Sequence, residues 1–172
     1  MRTSLKTVTW SAFNSLEDGT VITSSYRMSA SISRNFYTSS ARPFVSALQN
    51  VFNHYAYLSP QYQYSSSFGN KATQTVNLIS IPSILYGSSI KKGTVNLKFY
   101  MSGTLIGELQ DRNYNGELIQ VGPAGSTGSG SVAGVVLYNE GFVALTGSWS
   151  LNPNTIAYDV SDSSKWIYFN YG

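Results

Sequence analysis

The sequence predicts a mainly β fold, an antiparallel β-sandwich or a twisted sheet of hairpins, with one packed α-helix at about residues 41–58. The clearest strand signal is a period of two, in which Val95, Leu97, Phe99 and Met101 alternate with polar residues. Two turn signals, Ser102-Gly103 and Asn115-Gly116, follow this strand and are typical of hairpins. Three consecutive antiparallel strands are therefore expected in this stretch.

The small number of charged residues and the large number of tyrosines indicate a surface that binds a partner. Charged residues are 11% of the 172 residues, and 13 residues are tyrosine, whereas about 25% of an average soluble domain is charged. Tyrosine is enriched where a ring is half buried against a partner. The net charge of +3 is spread over scattered basic residues, which argues against nucleic-acid binding. There is no cysteine, so disulfides and thiolate chemistry are excluded, and no apolar run is long enough for a membrane helix.

The first third of the chain combines weak strand patterns with one helix. Thr3–Phe13 and Val21–Phe36 are predicted to be extended. The helix has apolar residues from Phe44 to Tyr55 on one face, Pro43 in its first turn, and Ser59-Pro60 at its end. We expect an N-terminal arm with the first strands at 1–40 and a β-rich domain with the helix at 41–172. The alternatives are a single domain over 1–172 and a piece of a longer chain.

The remaining elements follow from turn residues and alternation. Gln61–Ala72 is polar and predicted to be an exposed loop, and Gly122–Ser131 a flexible one. The other expected strands are Val76–Leu85 (interrupted at Pro82), Glu117–Val121, Val132–Tyr138, Phe142–Trp149, Ile156–Val160 and Trp166–Tyr171. The predicted core contains Leu78, Ile84, Val95, Leu97, Phe99, Leu105, Leu109, Val136, Leu145 and Trp149.

No arrangement of reactive residues predicts an enzyme. His54 is the single histidine and lies on the predicted helix, with no cysteine to act beside it. Glu108 and Glu117 flank one hairpin, but paired acids on a solvent face are common and no second feature supports glycoside hydrolysis. We therefore predict no catalytic residues and no cofactor.

The segment from Asp111 to Glu117 is the one metal candidate. Asp111, Asn113 and Asn115 followed by Gly116 match the opening of a calcium-binding loop, and Glu117 adds a carboxylate. The twelfth position of that loop should be glutamate and is Gly122. A polar hairpin loop is the competing interpretation, and it is favoured because calcium prefers several carboxylates.

A set of aromatic residues around the end of the helix is the candidate binding surface. It consists of Tyr55, Tyr57, Tyr62, Tyr64 and Phe68. Such rings can stack on sugars or bases, or can pack at a seam between subunits. The low charge of the chain favours the seam.

The stretch from Ser80 to Trp149 resembles a block found in virion structural proteins of tailed bacteriophages, especially large marine and cyanobacterial phages. Three segments carry the resemblance: the run from Ile81 to Gly93, the run from Asn115 to Gln120, and the run from Val132 to Phe142 that is closed by Leu145–Trp149. The resemblance covers about residues 80–149, and it implies an assembly component rather than an enzyme.

These observations predict a structural assembly subunit of a tailed-phage virion, in the tail, baseplate, neck or capsid surface. Its expected location is the virion, and its expected partners are copies of itself and other virion proteins, bound through aromatic and aliphatic surface. The alternative is a carbohydrate-binding module of a viral fibre, with a glycan as partner.

Overall fold

The computed structural model describes residues 33–37, 42–101, 103–155 and 163–169. The strands are β1 (Ser33–Tyr37), β2 (Ser65–Ser66), β3 (Gly69–Asn70), β4 (Val76–Ser80), β5 (Asn96–Met101), β6 (Thr104–Gln110), β7 (Glu117–Gly122), β8 (Val132–Leu137), β9 (Phe142–Leu145), β10 (Asn152–Thr155) and β11 (Ser163–Ser164). The α-helices are α1 (Pro43–Ala47) and α2 (Gln49–His54). Short 3₁₀ turns occupy Tyr55–Tyr57, Pro60–Tyr62, Ser83–Leu85 and Trp166–Tyr168.

Seven of the described strands form one antiparallel sheet in the order β1-β4-β9-β8-β7-β6-β5. The strands from β5 to β9 are a meander, since each pairs with the next along the chain. Register shifts in the three pairs from β5 to β8 mark bulges, which increase the local twist. The mainly β prediction is confirmed, in the form of a twisted sheet of hairpins. The pairs β2-β3 and β10-β11 are separate.

The core covers both faces of the sheet in its central strands, because consecutive residues of β4 and of β8 are buried. Val45 and Phe52 are fully buried. Trp166 lies against Gly107 of β6, where a β-carbon would overlap its indole ring. Phe169 packs edge-on against Phe99 of β5, with ring centroids 5.3 Å apart. These contacts tie the described C-terminal residues to the sheet.

The alternation predicted for β5 is confirmed, because its polar residues are exposed and Phe99 is 8% exposed. Five of the predicted core residues are buried, namely Leu78, Phe99, Leu109, Val136 and Leu145. Four others, Val95, Leu97, Leu105 and Trp149, are half-buried. The prediction for Ile84 was wrong: this side chain is 89% exposed, because Pro82 is followed by a 3₁₀ turn rather than by more strand.

The predicted helical segment at about 41–58 is confirmed, as two short helices joined at Leu48 and followed by a 3₁₀ turn, and Phe44 points to solvent at 55% exposure. Two other element predictions were wrong. Gln61–Ala72 is not a simple exposed loop, because Tyr62, Tyr64 and Lys71 are buried within it. Trp166–Tyr168 is a 3₁₀ turn and not a strand.

The predictions for 1–32 and for Ile156–Val160 lie outside the described residues. None of the helices in the described part of the chain has the length and apolar character needed to cross a membrane.

Candidate interaction surfaces

An apolar groove runs beside strand β5, which is the last strand of the sheet. Its volume is about 530 Å³. The side chains that line it include Ile81, Leu85, Tyr86, Val95 and Leu97. In the described part of the chain no strand pairs with the outer edge of β5. The groove therefore combines apolar surface with a strand edge that the described residues leave unpaired, and both features favour association.

Ile84 stands beside this groove and is the most exposed of the large apolar side chains described. It is 89% exposed, whereas its neighbour Leu85 lines the groove. The 3₁₀ turn at Ser83–Leu85 produces this arrangement, since successive side chains of a tight turn point in different directions. The surface thus presents an exposed isoleucine side chain beside an apolar cavity.

The loop between the 3₁₀ turn and β5 is fixed to the sheet at two places. The Ile90 backbone N–H donates to the carbonyl oxygen of Tyr138, at 2.8 Å. The Gly93 N–H donates to the Asp111 carboxylate, at 2.7 Å. Gly93 has φ +77°, and the ring of Tyr114 occupies the place where a β-carbon would lie. This loop forms one wall of the groove and is held by specific bonds.

A second depression, which we name the basic notch, adjoins the groove. Its volume is about 310 Å³, and Ser89, Ile90 and Lys91 line both cavities. The other residues lining the notch are Tyr55, Tyr57, Leu58, Lys92, Tyr138 and Asn139. The Lys92 Nζ atom lies 5.6 Å from the centroid of the Tyr138 ring. A cation over an aromatic face is stabilised by the charge distribution of the ring.

Asp111 is a buried residue whose hydrogen bonds hold the loop beside the groove and the Tyr138 side chain of the notch. Its side chain is fully buried and accepts hydrogen bonds from the Gly93 N–H, the Gly116 N–H at 3.0 Å, and the Tyr138 hydroxyl. Burial, and then the hydrogen bond to Asp111, raises the pKa of Tyr138. The hydroxyl therefore keeps its proton and remains a donor to the carboxylate.

The structure places the residues predicted for calcium around this hydrogen-bond network. Asn115 accepts from the Glu117 N–H at 3.2 Å, and the Glu117 carboxylate accepts from the Ser59 hydroxyl. Asn113 is exposed. Among the described residues no group of three or more histidine or acidic side chains is placed to hold a metal ion. The oxygens of Asp111, Asn115 and Glu117 thus accept hydrogen bonds from the protein, as the polar-loop interpretation expects.

Only part of the predicted aromatic surface is exposed in the structure, and the rest is buried. Only Tyr57 and Phe68 are exposed, at 74% and 58%. The prediction was wrong for Tyr55, Tyr62 and Tyr64, which are buried in the core. The Tyr55 and Tyr62 rings stack with centroids 5.3 Å apart, and the Tyr62 hydroxyl donates to the Val136 carbonyl. The chain turns inward here because Pro60–Tyr62 is a 3₁₀ turn capped by Ser59.

His54 is exposed on the short helix, as predicted. Its ring makes edge contacts with Tyr55 and Tyr57, at centroid distances of 5.9 and 6.0 Å. It therefore helps to hold the Tyr57 ring beside the notch.

Lys71 is a buried cation that the sequence did not indicate. It is 5% exposed, and its ammonium donates to the carbonyls of Gln61 and Gln63, both at 2.8 Å, and lies 5.3 Å from the Phe52 ring centroid. These contacts stabilise the ammonium. Burial nevertheless lowers the pKa of Lys71 to about 8, because the charged form loses its hydration.

We expect the free energy of unfolding to rise between about pH 8 and 10.5 through Lys71, the range between its pKa in the folded chain and its ordinary value. The unfolded chain keeps this proton up to a higher pH than the folded chain, so deprotonation favours folding, by about 1–3 kcal/mol over the full range. Urea titrations of the wild type and of Lys71→Met measure the effect, and the difference between the two should change steadily across this range. Parallel pH profiles would contradict the assignment.

The notch was missed because its residues come from three distant segments, whereas the groove is lined by one stretch, between Ile81 and Leu97, whose folding back on itself the sequence did not reveal. Ile81–Leu85 is an apolar run broken by a proline, and Lys91-Lys92 is the only adjacent basic pair. Both are visible in the sequence, but only the fold brings the lysines next to Tyr57 and Tyr138.

Comparison of the sequence with protein-family models and with curated proteins found no match, and comparison with solved structures also found none.

Proposed function

We propose that this chain is a structural assembly subunit of a tailed-phage virion that associates with copies of itself through the apolar groove. The observation that carries the proposal is the pairing of an 89%-exposed Ile84 with an apolar cavity of about 530 Å³ beside a sheet edge. Two copies related by a twofold axis would each place Ile84 in the groove of the other. Such an interface uses the same patch twice, as most homodimers do.

Association has a clear thermodynamic source at this surface. Burial of apolar surface contributes about 25 cal/mol per Å², and a fully buried isoleucine contributes about 1.5–3 kcal/mol. The groove is lined by aliphatic and aromatic side chains, and the charged residue among its lining is Lys91 at its end. Few charges therefore need to be desolvated when the groove is covered.

The virion context rests on the resemblance of residues 80–149 to tailed-phage structural proteins. Both the groove and Ile84 lie within this stretch. Mass spectrometry of purified phage particles tests this part of the proposal. The chain should be present in the particle in several copies, and its absence from particles would contradict the virion assignment.

We expect Ile84→Ser to shift the chain toward monomers. Loss of the isoleucine should weaken the contact by about 1.5–3 kcal/mol for each buried side chain. The twofold dimer buries two of them, so the association constant should fall about 10²- to 10⁴-fold. Size-exclusion chromatography with light scattering measures the change. Because Ile84 is exposed, the substitution should leave the melting temperature of the monomer unchanged.

Phe68→Ser is the matched control, because Phe68 is 58% exposed and is not among the residues that line the groove. It should leave the association constant unchanged. A wild-type chain that stays monomeric at high concentration, or equal losses in the two variants, would contradict self-association through the groove.

A further inference from the structure

We infer that the basic notch is a binding site for an acidic sugar, a hexuronate unit of a polysaccharide. This site adjoins the self-association surface and shares Ser89, Ile90 and Lys91 with it, but Tyr57 and Lys92 line the notch and not the groove. It also differs from the aromatic surface predicted from the sequence, since Tyr57 is the one exposed ring of that set that lines it.

The size and walls of the notch suit one sugar unit. Its volume of about 310 Å³ holds a single pyranose ring with some water. Tyr57 is 74% exposed and presents a ring beside the opening. Sugars bind proteins by placing their C–H faces on aromatic rings, while their hydroxyls form hydrogen bonds with polar groups. Ser89 and Asn139 supply such groups in the lining.

Two lysines determine the charge preference of the notch. Lys91 and Lys92 are exposed, and neither forms an ion pair with the described residues. Lys92 already lies over the Tyr138 ring, so its ammonium is held close to the cavity. A carboxylate on the sugar ring would accept hydrogen bonds from these ammonium groups, which are stronger than hydrogen bonds between neutral groups.

Two acids, Asp111 and Glu140, lie near the notch, and neither is among the residues that line it. The Asp111 carboxylate is occupied by three donors. Glu140 forms a side-chain hydrogen bond with Tyr55, and its Oε2 atom is buried without a partner. The charged groups among the residues that line the notch are therefore the two ammonium groups, whose positive field favours an anionic ligand over a neutral one.

The test compares three small ligands in the full chain, by saturation-transfer NMR and by titration of amide chemical shifts. D-glucuronate and D-glucose differ only at C6, and acetate carries the carboxylate without the ring. We expect glucuronate to bind about fivefold or more tightly than glucose or acetate, with shifts at Tyr57 and Lys92. If acetate bound as tightly as glucuronate, the notch would be a simple anion site and the inference would be overturned. Binding of glucose as tight as that of glucuronate, or no binding of glucuronate, would also overturn it.

Variants locate the site. Tyr57→Ala and Lys92→Gln should each weaken glucuronate binding about fivefold or more, because one removes the ring face and the other the charge. The matched controls are Tyr100→Ala and Lys98→Gln, two exposed residues of β5 outside the notch, which should bind glucuronate as the wild type does. Equal losses in the controls would overturn the assignment to this notch. Ile84→Ser should also bind normally, so failure of this inference and failure of self-association are distinguishable.

Discussion

Asp111→Ala should lower the free energy of unfolding by about 3–5 kcal/mol. The substitution leaves three donors without their acceptor: the N–H groups of Gly93 and Gly116 and the Tyr138 hydroxyl. A hydrogen bond to a charged group contributes about 1.5–3 kcal/mol, and a donor left buried without a partner costs about 1–3 kcal/mol. For a domain of this size the melting temperature should fall by about 6–20 °C.

Thermal and urea unfolding followed by circular dichroism measure this effect. Asp111→Asn should have an intermediate effect, because its amide oxygen can still accept one bond while its NH₂ group faces the Gly93 N–H. The neighbouring substitution Arg112→Ala is the control, since Arg112 is exposed and should change stability by no more than about 0.5 kcal/mol. If Asp111→Ala and Arg112→Ala were equally mild, the role of Asp111 as the central acceptor would be wrong.

The position of Asp111 joins stability to the interaction surfaces. It lies directly after β6, and its carboxylate holds the Gly93 turn that leads into β5 and the Tyr138 side chain that follows β8. One buried carboxylate thus fixes a wall of the groove and the ring beneath Lys92. Tyr62 adds a second connection to β8 through its bond to the Val136 carbonyl.

The hairpins were predictable because their signals are local. Alternation of side chains and turn glycines act over a few residues, and they located β5, β6, β8 and β9 to within a few positions. The helix was less predictable, because apolar spacing from Phe44 to Tyr55 does not reveal where tertiary contacts interrupt it. The structure turns Phe44 outward and buries Tyr62 instead.

The interaction surfaces were less predictable than the fold. Composition identified tyrosine as the contact residue, but exposure depends on which side of each turn faces the sheet. Tyr62 and Tyr64 alternate with half-buried glutamines and point inward, whereas Tyr57 points outward from the 3₁₀ turn just before them. Ile84 was assigned to the core because its residue type is usually buried, and a turn after Pro82 determines its actual exposure.

Gln120→Leu should be as damaging as the loss of Asp111, at about 3–5 kcal/mol. Gln120 is 1% exposed, and its Oε1 atom accepts from the indole N–H groups of Trp149 and Trp166, at 2.7 and 2.9 Å. Its Nε2 atom donates to the Ser126 hydroxyl and the Thr127 carbonyl, both at 2.8 Å. Leucine fills a similar volume but forms none of these four hydrogen bonds. Each buried donor that is left without an acceptor costs about 1–3 kcal/mol.

These bonds also connect the loop at Gly122–Ser131 to the sheet. Although its composition predicts a flexible loop, the Gly130 N–H donates to the Gln120 carbonyl at 2.8 Å, and the Trp149 indole occupies the space beside Gly128. The Gln120 side chain therefore links the loop, β7 and both tryptophans. Its loss should release the loop as well as lower global stability, and proteolysis within Gly122–Ser131 should then be faster.

A double-mutant cycle separates the indole bonds from simple loss of packing. In a Trp149→Phe background one indole donor is already gone, so Gln120→Leu should cost about 1 kcal/mol less than in the wild type. Urea unfolding followed by circular dichroism gives the four free energies that the cycle needs. Gln49→Leu is the control, because the Gln49 side chain is exposed and its substitution should have little effect. Strictly additive losses for Gln120 and Trp149 would mean that their hydrogen bond contributes nothing, and the cost of Gln120→Leu would then come from its bonds to Trp166, Ser126 and Thr127.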